Sequence, residues 1–144
     1  MIHGIATDFL VAVEVREHPD HAAANALVDQ VIGREHSLAI VPQTLAEFIH
    51  VVTDARRMPK PLSVEEATAR AKHWWQATEV IRIYPAGEAA GTFLNWLRDY
   101  RLGRKRLLDT LLAATFFHAG VRRLITNNGA DYQVFGVFEI IGYR

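Results

Sequence analysis

A chain of 144 residues has room for one hydrophobic core, so residues 1–144 read as a single domain. Half the residues are hydrophobic and 22% are charged, a globular balance that excludes a disordered chain. The formal net charge is zero and there is no cysteine, which excludes a uniformly basic polyphosphate binder, disulfides, thiol catalysis and cysteine-bound zinc. The apolar stretch from Ile5 to Val15 is interrupted by Asp8 and Glu14, which argues against a signal peptide or a membrane span. A reducing, cytoplasmic setting is the expectation.

Ile2 to Ala6 is short, apolar and suited to a strand, and Phe9 to Arg16 is expected to be helical. After the His18-Pro19-Asp20 turn, an alanine-rich helix is expected from about His21 to Ile32, with Gly33 as its C-terminal cap. Leu38 to Val41 reads as a second strand. Pro42 suits the first turn of the next helix, Gln43 to about Thr53. Arg56 to Leu62 is a loop, and Ser63 with Glu66 has capping-box spacing for a helix through about Gln76. Val80 to Tyr84 is a third strand, Gly87 to Tyr100 a helix, and Arg104 to His118 a strongly apolar helix. Arg123 to Thr126 and Val137 to Ile141 complete five strands, with a turn at Asn127-Asn128-Gly129. Short apolar strands alternating with helices imply an α/β fold: a parallel sheet covered on both faces.

In such sheets the functional crevice lies beyond the carboxyl ends of the strands. Asp8 follows the first strand, Glu47 lies early in the helix after the second, and Asp109 lies early in the helix before the fourth. Asn128 and Asp131 follow the fourth strand. Carboxylates brought together repel one another unless a divalent cation compensates them. Each acid also has a plainer reading. Asp8 is equally placed to cap a helix. Glu47 falls off the stripe of Leu45, Phe48, Ile49 and Val52 at about 100° per residue, as a solvated side chain would. Asp109 sits beside Leu112, Ala113 and Phe116, where an ionised carboxylate needs a partner.

Four segments together carry a resemblance: Thr7-Asp8-Phe9-Leu10, Pro42 to Phe48 with Glu47 at its core, Leu108 to Thr115 around Asp109, and Leu124 to Asn128 with Asp131-Tyr132. In order and spacing they resemble PIN-domain proteins, most closely the VapC-like toxins of bacterial toxin–antitoxin pairs. The resemblance implies a PIN-like α/β/α sandwich with about five parallel strands. It implies a magnesium- or manganese-dependent endoribonuclease, in which a metal-activated water hydrolyses an RNA phosphodiester. It assigns metal-site roles to Asp8, Glu47 and Asp109, and adds Asp131 to the catalytic set. Thr126 and Asn128 would position water or substrate, although Thr126 serves equally as a strand-end cap. Relatives often carry an acid where Asn128 stands; an asparagine can ligate but brings no charge. A small cognate antitoxin and a homodimer are the implied partners.

Arg98, Arg101, Arg104, Lys105 and Arg106 precede Asp109 and are candidates for RNA phosphate contacts, or form a solvated surface. Trp74, Trp75 and the Val51-Val52 region are candidates for an interface. The seven histidines show no metal-binding spacing, and no Walker or Gly-x-Gly-x-x-Gly loop suggests a nucleotide cofactor. Two rivals remain open. One is a non-catalytic PIN-like module that binds RNA or protein; the other, a haloacid-dehalogenase-type phosphatase, wants an Asp-x-Asp that Asp8-Phe9-Leu10 lacks.

Overall fold

Five strands of three or four residues each form one all-parallel sheet in the order β3-β2-β1-β4-β5. The computed structural model describes residues 1–144. The strands are β1 (Ile2–Ile5), β2 (Ser37–Ile40), β3 (Val80–Arg82), β4 (Arg123–Ile125) and β5 (Glu139–Ile141). The helices are α1 (Thr7–Glu14), α2 (His21–Gly33), α3 (Pro42–Val52), α4 (Val64–Gln76), α5 (Gly87–Asp99), α6 (Leu107–His118) and the short α7 (Ala130–Gln133). No helix is long and apolar enough to cross a membrane.

Side-chain alternation splits the core into two layers. Ile5, Leu38, Ile40 and Ile125 face one side, where Phe9, Phe48, Val52 and Trp74 from α1, α3 and α4 cover them. Ala39, Val41 and Leu124 face the other, under Leu112 and Phe116 of α6 and Tyr132 and Phe135 near α7. Gly4 lets α6 approach β1 closely: a Cβ there would lie 2.9 Å from Phe116 Cε2 and 3.0 Å from Leu124 Cδ2. Chain order runs outward from β1 to β3, then returns across β1 to β4. The gap between β1 and β4 is therefore the switch point, where loops diverge and leave a crevice.

Ser63 caps α4 as expected, its Oγ accepting from the Glu66 amide at 3.1 Å, while the reciprocal bond of a capping box is not made. Several expected boundaries shift. The first helix begins at Thr7, so Asp8 lies inside its first turn and Ala6 is the N-cap. Gly33 is the last residue of α2 and not its cap. The chain closes with the amide of Glu35 on Ile32 and that of His36 on Val31, and Glu35 takes the left-handed conformation at φ 58°. The expected helix from Arg104 opens as a 3₁₀ turn at Arg104–Arg106, and α7 lies between the expected turn and the fifth strand, where no element was expected.

Trp74 is buried and Val52 is fully buried, so neither offers the interface surface expected of it. Trp75 is half-buried, edge-on to Tyr84 at 5.7 Å and beneath Arg82. Adjacent helical positions point in different directions, and here the first of each pair or the second was drawn into the core. Large apolar side chains are exposed instead at Tyr84, Leu94, Leu107 and Leu108.

Gly4→Ala should overpack the β1–α6 contact and cost about 1–3 kcal/mol. Thermal unfolding should show Tm lowered by roughly 3–10 °C; an unchanged Tm would mean that Phe116 moves aside freely.

Candidate active site

Asp8 stands at the switch point, in the first turn of α1. Its Oδ1 accepts from the Thr126 hydroxyl at 2.7 Å, and its Oδ2 accepts from the Asn127 amide at 2.9 Å and the Tyr143 hydroxyl at 2.7 Å. These donors lie just past β4 and β5, so one carboxylate joins three strand ends. Its side chain does not cap α1, whose first amides have no side-chain acceptor. Thr126 is buried, and its oxygen also accepts from the Asn128 amide at 3.0 Å. That hydroxyl is buried and engaged in holding Asp8. Tyr143 packs on Phe9, ring centroids 5.2 Å apart, and burial raises its hydroxyl pKa further above the usual range, as does its bond to Asp8. It stays a donor at any working pH.

Glu47 is half-buried rather than solvated. It accepts from Thr7 Oγ1 at 3.2 Å and from Gln43 Nε2 at 2.7 Å. Gln43 also donates to the Leu108 carbonyl at 2.8 Å, which ties α3 to the start of α6. Asp109, in the first turn of α6, accepts from the Tyr132 hydroxyl at 3.2 Å. Burial raises the Asp109 pKa; the Tyr132 bond opposes this, the Asp131 and Glu47 charges add to it, and Arg106 lowers it. Tyr132 is buried, and its pKa is raised by burial first and then by the charges of Asp109, Asp8 and Glu47. The three distant acids therefore share one electrostatic neighbourhood around Tyr132.

The fourth-strand residues are less uniform. Asp131 is partly exposed and pairs with Arg106 at 3.8 Å, while Arg106 also donates to the Asp131 carbonyl. Asn128 is exposed. Of the basic cluster, Arg106 is turned inward, with its Nε buried and without a partner, which removes it from the expected phosphate contacts. Arg98 pairs with Asp99 at 3.0 Å. Arg101, Arg104 and Lys105 are exposed and make no ion pair.

The donor set suits a hard divalent cation, since all three acids offer carboxylate oxygen. Oδ1 of Asp8 takes one hydrogen bond and keeps a lone pair; Oδ2 of Asp109 takes none. The raised pKa of Asp109, caused first by burial and then by the Asp131 and Glu47 charges, marks a carboxylate whose ionised form a cation would stabilise. In the side-chain positions seen here, no three His, Asp or Glu residues stand close enough to share one ion. Their oxygens are turned instead toward Thr7, Gln43, Thr126, Tyr132 and Tyr143. The helices α1, α3 and α6 begin without side-chain caps, so their free amides favour anions near this edge.

No family model matches the chain. Over 145 residues it is 27% identical to Ribonuclease VapC24 of Mycobacterium tuberculosis, covering 94% of this chain and 92% of that protein. Its fold superposes on M. tuberculosis VapC20, a sarcin–ricin-loop-cleaving toxin, with a TM-score of 0.70 at 16% identity, covering 95% and 97% of the two chains. VapBC2 of Rickettsia felis, solved on a promoter DNA fragment, matches with a TM-score of 0.70 at 17% identity over the whole of both chains. The chain is thus similar to a VapC ribonuclease over nearly its whole length and shares the fold of VapC toxin structures.

Several supporting residues carry no assigned role in the sequence alone. Gln43 lies four residues before Glu47, a spacing that places the two on one helical face. Tyr143 follows the last strand, so the rule that located Asn128 also locates it. Tyr132 stands beside Asp131, and its hydroxyl, not its neighbour's carboxylate, reaches Asp109.

The folded pKa of Asp109 lies above its unfolded value near 3.8. Between those two values the native state binds more protons, so stability falls as pH rises and the penalty persists above the window. In chelator, Asp109→Asn should raise Tm at neutral pH, and the gain should vanish as pH approaches the unfolded value. A lower Tm for the variant at neutral pH would contradict the charge-crowding account.

Proposed function

We propose that this protein is a divalent-metal-dependent endoribonuclease, the toxin of a toxin–antitoxin pair. The observation that carries this is the convergence of Asp8, Glu47 and Asp109 on the switch-point edge, each with its own hydrogen-bond support. Asp8, Glu47 and Asp109 would hold magnesium or manganese. When bound, such an ion supplies phosphate neutralisation and a water of lowered pKa.

The chain's own residues do the remaining work. Thr126, the Asn127 amide and Tyr143 orient Asp8; Thr7 and Gln43 orient Glu47. Tyr132, held protonated, orients Asp109 by donating to it. Asn128, which is exposed, would meet substrate, and Asp131 pairs with Arg106. Arg101, Arg104 and Lys105 line the approach to α6, where they would hold RNA phosphates beside the acids. Phosphate charge is also favoured by the uncapped amides of α1 and α6.

The partners of the reading are an RNA substrate, a small antitoxin protein and a second copy of the chain, acting in the cytoplasm. VapBC-1 of nontypeable Haemophilus influenzae shares the fold with a TM-score of 0.67 at 16% identity. The alternative of a binding module without catalysis rests on Asn128 alone. It leaves unexplained why three half-buried carboxylates are each supplied with hydrogen-bond donors.

Incubation with total RNA should give discrete fragments with magnesium and none with chelator. Asp8→Asn and Asp109→Asn should lower cleavage at least about 100-fold while remaining folded, and Tyr143→Phe should cost about 10- to 100-fold through loss of support to Asp8. Wild-type cleavage by folded Asp109→Asn would overturn the assignment.

A further inference from the structure

A second polar cluster lies under α2, toward the amino ends of the strands. His3 of β1 pairs in register with Arg123 of β4, and Arg123 with Glu139 of β5. Alternation sends all three to the same face as Ile5 and Ile125. The left-handed turn at Glu35 brings Arg34 and His36 over them. These side chains and Gln30 line a cavity of about 320 Å³.

His3 is 4% exposed, its Nε2 lies 3.0 Å from Nδ1 of His36, and its own Nδ1 is buried without a partner. The two rings lie nearly parallel, centroids 5.2 Å apart. Arg123 pairs with Glu139 at 3.1 Å, which leaves Arg34 and the Met1 amino group without an acid in the cluster. The local charge is therefore positive even with both histidines neutral, in a chain whose formal net charge is zero.

We propose that this cavity binds a small oxyanion of the phosphate class between Arg34, His36 and Arg123. The site is separate from the carboxylate edge and does not depend on the nuclease reading. Guanidinium and imidazole N–H groups supply charge-assisted bonds to such an anion. The two histidines make the site sensitive to pH. The His3 pKa is lowered by burial first, then by His36, Arg123 and the Met1 amine, with Glu139 opposing. That of His36 is lowered by desolvation, then by the Met1 amine, Arg123 and Arg34. A bound anion favours imidazolium, so binding takes up a proton, and affinity rises as pH falls.

Sulfate keeps its charge across this range and isolates the protein's own proton uptake. Metal-free protein in chelator should be titrated with sulfate at constant ionic strength, at pH about 6 and about 7.5, following the histidine ring nitrogens by NMR. The His3 and His36 signals should shift together, with affinity gaining up to about tenfold per pH unit within the titrating window. Arg34→Gln, at an exposed position, should weaken binding about tenfold, and His36→Gln should abolish most of the pH dependence. Inorganic phosphate and a nucleoside 5′-monophosphate then separate the sources. Equal affinities indicate a free anion, and tighter binding of the nucleotide indicates a nucleotide phosphate. Unmoved histidine signals, or binding indifferent to Arg34→Gln, would overturn the proposal.

Discussion

Asp8 accepts hydrogen bonds from Thr126, from the Asn127 amide and from Tyr143, and in doing so it joins the ends of β1, β4 and β5. A carboxylate at the edge of a core must find such donors, because an unpaired one costs far more than any contact it displaces. The remaining site is arranged around that requirement. Thr126 lies between Asp8 and the Asn128 amide, so the turn after β4 is shaped by the same hydroxyl. Asn127 meets the C-terminal segment through its side chain, which accepts from the Tyr143 amide at 2.9 Å and reaches Asp20 at 3.5 Å. The switch point thus rests on a hydrogen-bonded floor.

Crowding of like charge on that floor is tolerated because opposing fields meet it. Helices α1, α3 and α6 begin at the same edge without side-chain caps, and their dipoles favour negative charge there. Arg106 lowers the Asp109 pKa, and Tyr132 donates to it. Burial and the Asp131 and Glu47 charges still prevail, leaving Asp109 with its pKa raised. A site that retains this electrostatic cost in the folded chain is suited to a cation, which offsets the cost when it binds. Stability and metal affinity are then two sides of one balance.

Much of this was legible in sequence, for physical reasons. Short apolar strands between helices can only be buried on both faces, and that sets the parallel sheet. Once the sheet is parallel, residues that follow a strand share one edge, which is why Asp8, Glu47 and Asp109 could be brought together on paper. Helix onset was harder to place. The apolar run from Phe9 hides that Thr7 and Asp8 are already helical, because an N-cap can be as featureless as Ala6. Side-chain destinations were harder still. Nothing local distinguishes Arg106, turned to Asp131, from Arg104 and Lys105 in solvent, and Trp74 differs from Trp75 only by a rotation about the helix axis. The donors Tyr132 and Tyr143 look like ordinary core aromatics until the strand ends are assembled.

Asp8, Glu47 and Asp109 are proposed to form one cation site at the switch point. Manganese titration followed by backbone amide NMR tests it directly, since a paramagnetic ion broadens only nearby signals. The account predicts early loss of the amide signals of Asp8, Thr126, Asn128 and Tyr132, with little effect in Asp8→Asn. Broadening elsewhere in the molecule, or none at this edge, would contradict it.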